Sequence, residues 1–107
     1  MSEIVAIPMG SDVKINIHVE PINGLSMQDY DFFVEVFCRA AKAIKIEKAK
    51  CIKEDADNYR ITFNTSDIGV GAIKYRVTAF IPDSDFDDGV RTEVAEGRMN
   101  IIITSEI

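Results

Sequence analysis

The stretch Ala72-Ile73-Lys74-Tyr75-Arg76-Val77-Thr78-Ala79-Phe80-Ile81-Pro82, continued by Asp83-Ser84-Asp85-Phe86-Asp87-Asp88-Gly89 and then Val90-Arg91-Thr92-Glu93, decides the fold class. Its period is two. Ile73, Tyr75, Val77, Ala79 and Ile81 fall on one side; Ala72, Lys74, Arg76, Thr78 and Phe80 fall on the other. Successive side chains of an extended chain point to opposite faces, so this pattern is a strand with one face on a core. Pro82 ends it, having no N–H to give to a ladder. A loop with four aspartates follows, and a new strand opens at Val90.

The same alternation recurs outward from this stretch. Val13, Ile15, Ile17 and Val19 alternate with Lys14, Asn16, His18 and Glu20. Tyr59, Ile61 and Phe63 alternate with polar neighbours, as do Met99, Ile101 and Ile103 near the end, where Ile102 is the exception. Such strands belong to antiparallel sheets with one wet face. Asp31–Arg39 differs, because Phe32, Val34, Val36 and Cys38 form one face while Phe33 and Phe37 flank Glu35 on the other. Turn signals separate the runs: Pro8-Met9-Gly10-Ser11, Pro21-Ile22-Asn23-Gly24, Asp55-Ala56-Asp57-Asn58 and Ser66-Asp67-Ile68-Gly69-Val70-Gly71. Short alternating strands at this spacing predict a β-sandwich or barrel. Arg39–Ala56 is rich in alanine and lysine and therefore also suits a helix. The alternation of Ile44 and Ile46 with Lys45 and Glu47 favours two short strands, near Ala43–Lys48 and Lys50–Glu54.

Length and charge exclude several classes. A chain of 107 residues predicts a single domain, 1–107, able to close one core. Its net charge of −6 repels phosphate backbones, which argues against a nucleic-acid partner. No apolar run approaches the roughly 18 residues of a membrane span. Met1-Ser2-Glu3-Ile4-Val5-Ala6 has no basic region before an apolar core, so the expectation is folding in the cytoplasm. With no secretion signal, Cys38 and Cys51 read as free thiols acting as small hydrophobes. A bridge between them needs facing side chains, and with one histidine they fall short of a closed zinc site.

Candidate sites are few, and no catalytic residue, cofactor or firm metal site is expected. Asp83, Asp85 and Asp87 sit at alternate positions like the start of a calcium loop. The sixth position is Asp88 where that loop needs glycine, and the twelfth is Val94 where it needs glutamate. What remains is a looser calcium site from Asp83, Asp85, Asp87 and Asp88, weighed against a solvated loop with local turn bonds. Phe86 is expected to tuck beneath that loop, and Arg91 to pair with one of its aspartates. Gly69-Val70-Gly71 is no nucleotide fingerprint, since Lys74 stands where a third glycine would be; a bulge or tight turn fits better. His18, by parity, points outward with Lys14 and Asn16 and has no nucleophile placed beside it. The acids Glu54, Asp55 and Asp57 have no evident pocket. Asn64-Thr65-Ser66 is a chance glycosylation sequon. Phe33, Phe37 and Phe80 lie opposite the inward parity. Either both sheet faces are covered within the domain, or these residues contact a partner or a second copy.

Gly10-Ser11-Asp12-Val13-Lys14-Ile15-Asn16-Ile17, Met27-Gln28-Asp29-Tyr30-Asp31-Phe32-Phe33-Val34-Glu35, Asp57-Asn58-Tyr59-Arg60-Ile61, Asp67-Ile68-Gly69-Val70-Gly71-Ala72-Ile73-Lys74 and Ile81 through Val94 together resemble small phage and prophage structural proteins of Bacteroides and relatives. The order of elements is also similar to the immunoglobulin-like N-terminal domain of the upper baseplate protein of lactococcal siphophages. The resemblance runs from about Gly10 to Ile103. It implies an all-β, immunoglobulin-like antiparallel sandwich of seven to nine strands. It also implies a non-enzymatic role in a phage tail, baseplate or fibre, with other tail subunits or further copies of the chain as protein partners. Such a protein would assemble in the cytoplasm and end in the virion. The chain carries no long extension of the kind that bears a receptor-binding tip, so the expectation is an adaptor or standalone assembly module. Phe33, Phe37, Phe80 and Phe86 are the expected contacts. The competing expectation is a carbohydrate- or ligand-binding sandwich using the acidic 83–88 loop, with or without calcium.

Overall fold

A computed structural model describes residues 4–19, 24–39 and 43–105. Eight strands appear among them: β1 (Val5–Pro8), β2 (Asp12–His18), β3 (Asp31–Phe37), β4 (Ile44–Glu47), β5 (Ile52–Asp55), β6 (Asn58–Asn64), β7 (Gly71–Pro82) and β8 (Val90–Thr104). They form a five-stranded sheet, β1-β8-β7-β3-β4, and a three-stranded sheet, β2-β6-β5. This is an immunoglobulin-like sandwich in which the chain crosses repeatedly between sheets. All pairings are antiparallel except β1, which runs parallel to β8 from Val5↔Ile101 to Pro8↔Thr104.

The ambiguous segment resolves as strands where it is described. A 3-10 turn at Lys48–Lys50 separates β4 from β5. The residues 40–42 that carry the first alanines lie outside the described residues, as does most of the expected turn at Pro21–Asn23. Gly24 completes that turn with φ +78°. In the β5–β6 hairpin the Asp55 carboxylate accepts bonds from the Asp57 amide at 2.9 Å and from Asn58 Nδ2 at 2.8 Å. Those bonds, the Asn58 side chain foremost, hold the Asp55 carboxyl below the usual carboxylate range.

The core is where the two inward parities meet. Phe32, Val34 and Val36 of β3, Ile73 and Ile81 of β7, Ile61 of β6 and Ile103 of β8 are all buried to within 1%. Phe32 crosses the interior to Tyr59 with ring centroids 5.2 Å apart and planes at 84°. Such an edge-to-face pair contributes about 0.5–1.5 kcal/mol beyond its burial. Lys48 fastens the end of the core. Its Nζ donates to the carbonyls of Met27, Gln28 and Tyr30 at 3.0, 3.1 and 2.6 Å, and lies 5.6 Å from the Phe32 ring.

Both cysteines are free. Cys38 is buried and Cys51 half-buried, and burial pushes both thiols up from their ordinary range.

Candidate functional site

The sandwich is open along one side. Among the described residues β2 is an edge strand, paired only with β6. Across from it, β8 pairs with β7 along its length, but β1 covers its outer edge only at Ile101–Thr104. The edge from Val90 to Asn100 therefore has no strand partner among the described residues. A further strand beside β2 would close such a sandwich; here the preceding chain lies along the far end of β8 instead. Between the two free edges runs a cleft of about 700 Å³. Ile15, Ile17 and Val19 form one wall, Val77 and Ala79 the floor, and Ala95 and Met99 the other wall. These are inward-parity side chains, and they are apolar because they belong to the core that the missing strand would cover.

Polar groups gather at one end of the cleft. Glu93 lines it there, with 44% of its side chain exposed, and so does His18, whose Nδ1 lies 3.0 Å from the Asp57 carbonyl. The position follows from the pairing. Glu93 sits opposite Ala79, Ala79 opposite Phe32, and Phe32 packs on Tyr59, the partner of Ile17. Glu93 thus marks the C-terminal end of β2. At Gly97 the Tyr75 side chain crosses β8, so that a Cβ there would stand 2.6 Å from Cζ and 2.9 Å from Cε1.

The second surface is the outer face of the five-stranded sheet. Phe33, Phe37 and Phe80 all lie on it, half-buried. No second layer covers them among the described residues. Their shielding comes from cationic stems instead, with Lys45 Nζ 4.3 Å above the Phe33 ring and the Arg76 guanidinium 5.7 Å from Phe37. Phe33 and Phe80 touch, with centroids 6.0 Å apart. Register places Val94, 55% exposed, in the same row as Phe33 and Thr78. The next row is a charge ladder, Lys45, Glu35, Arg76 and Glu96, with Arg76 3.6 Å from Glu35 and 3.7 Å from Glu96.

The 83–88 loop is closed by its own groups. Arg91 reaches Asp83 at 2.7 Å, as its sequence position led one to expect. The Asp83 carboxylate also accepts from the Asp85 amide, and Asp88 accepts from the Val90 amide. Asp83, Asp85, Asp87 and Asp88 do not converge: among the described residues no three acidic, histidine or cysteine side chains are grouped to hold a metal ion. The expectation for Phe86 is corrected. It is 46% exposed, because the turns Asp83–Phe86 and Phe86–Gly89 close on backbone bonds and leave its ring at the tip.

The class defined by this fold and surface is an immunoglobulin-like sandwich with an unfilled edge. No family model, curated protein or solved structure matches the chain.

Sequence reasoning missed the cleft, Lys48 and Gly97. An open edge is a property of pairing, and no local pattern announces it. A weak signal existed for Gly97: Ala95-Glu96-Gly97-Arg98 has low strand propensity inside an otherwise β-forming segment.

Proposed function

We propose that this chain is a non-enzymatic assembly domain that docks other protein subunits, and that the assembly is a phage or prophage tail, baseplate or fibre. The observation that carries the docking role is the open edge: unpaired backbone groups on two strands flank an apolar cleft, and both are favourable to cover. The tail context is supported by the resemblance over Gly10–Ile103. On this reading the protein is made and assembled in the cytoplasm and leaves it in the virion. The competing ligand-binding reading gains nothing from the loop, whose Asp83 and Asp88 carboxylates already serve Arg91 and nearby amides.

The test is mass spectrometry of particles purified from induced cultures of the organism that carries the gene. The chain is expected in washed particles at a fixed ratio to the other tail subunits. Its absence from them overturns the tail reading.

A further inference from the structure

We infer that the open edge accepts one extended segment from a partner protein, added antiparallel to β2, with apolar residues at alternate positions and a Lys or Arg preceding them. The inference deepens the docking reading and rests on it. An apolar cleft alone would take many ligands. This one is bordered by β2, whose outer edge presents the alternating N–H and C=O groups that only another extended backbone matches.

Two edges border the cleft, and they differ. β8 carries Arg91 and Glu93 on its inward parity, and its pairing with β7 slips between Ala72 and Lys74. Inward charges and bulges are features that blunt an edge against further pairing. β2 has neither. Its register with β6 is unbroken from Asp12↔Asn64 to His18↔Asn58, and its inward side chains are Val13, Ile15 and Ile17. β2 is therefore the accepting edge. A donor of seven residues lying opposite 13–19 places four side chains towards the cleft, opposite Val19, Ile17, Ile15 and Val13, because paired residues share a face.

Charge sets the order of those four. Glu93, at the C-terminal end of β2, is held by Arg91 Nε only at 3.4 Å and keeps much of its carboxylate in solvent. An antiparallel donor enters at that end, so its first inward residue meets Glu93 and favours a cation. The following three inward positions meet apolar walls. The recognised pattern is basic-x-apolar-x-apolar-x-apolar.

The experiment titrates the full chain, labelled with nitrogen-15, with the capped peptide Lys-Thr-Val-Thr-Ile-Thr-Val. The control is the same composition with its apolar residues contiguous, Lys-Thr-Thr-Thr-Val-Ile-Val. The expected result is saturable shifts centred on the amides of Asp12–His18, slowed exchange at alternate β2 amides, and no comparable effect of the control. Glu93→Lys should weaken the first peptide about fivefold, the range of an exposed ion pair. It should strengthen a peptide whose first residue is Glu. Equal binding of both peptides, or shifts that avoid β2, would overturn the inference. So would concentration-dependent protection of β2 without any peptide, which would assign the edge to a second copy. The particle experiment is independent: subunits found in particles with no peptide binding would leave the assembly role standing and remove the donated strand.

Discussion

At the scale of single residues, Thr65 ties the molecule together across a long sequence separation. It is fully buried, and its hydroxyl accepts from the amides of Gly10 at 2.8 Å and Ser11 at 3.0 Å. It thereby holds the β1–β2 crossing to the β6–β7 crossing. Asn64 adds a bond from Nδ2 to the Gly10 carbonyl at 3.0 Å, so the sequon asparagine serves the same junction. Thr65→Val keeps the shape and removes the acceptor, taking the partner from the Gly10 amide and leaving the Ser11 amide its longer bond to the Pro8 carbonyl at 3.3 Å. The expected cost is about 1–3 kcal/mol, read from urea unfolding. Thr65→Ser should recover most of it. A Thr65→Val protein as stable as the parent would show that the junction does not depend on this hydroxyl. The sequence could not show this role, because it links residues that are neighbours only after both sheets have formed. Arg91 and Asp83 are the contrast. They sit eight residues apart across one loop, and their ion pair was legible from the loop alone.

At the scale of elements, alternation made most strands legible. It placed β2, β3, β6 and β7 because one-sided burial writes a period of two into the sequence. It failed for the middle of β8, where the inward positions are Arg91, Glu93, Ala95 and Gly97, and these have no buried face to record. The same segment borders the cleft, so the missing pattern and the missing strand have one cause. Gly97 is the sharpest point of it. Glycine there is not needed for an unusual φ but for the Tyr75 ring that crosses it. Gly97→Ala should therefore destabilise by about 1–3 kcal/mol through overpacking, despite alanine being the better strand residue. With Tyr75→Ala already present, the same change should cost nothing or stabilise slightly. Thermal unfolding of the two single variants and the double variant measures this coupling. Additive effects would mean that Tyr75 and Gly97 do not constrain each other.

At the scale of the whole molecule, the two uncovered surfaces point in different directions. The domain measures 53 × 28 × 28 Å, and the fifteen residues of β8 span nearly all of the long axis. The cleft lies along the side, whereas Phe33, Phe80 and Val94 occupy the broad outer face of the five-stranded sheet. A face that meets the same face of another copy makes a closed two-fold contact, which leaves the cleft of each copy open to a different subunit. On the proposed assembly reading, one surface serves the chain's own kind and the other a different subunit. If the aromatic face is the self-contact, the mass in solution should rise above the 11.9 kDa of one chain as concentration increases. Light scattering over a concentration series reads this directly. Phe33→Asp should return the protein to one chain while leaving its melting temperature within a few degrees, because Phe33 stands on the outer face and takes no part in the buried core. Raised salt should leave the wild-type oligomer intact, since the contact is apolar and the flanking Glu35, Arg76 and Glu96 are already paired within the chain. A wild-type mass of one chain at every concentration would remove self-assembly through this face and leave the edge cleft as the surface through which the domain joins other subunits.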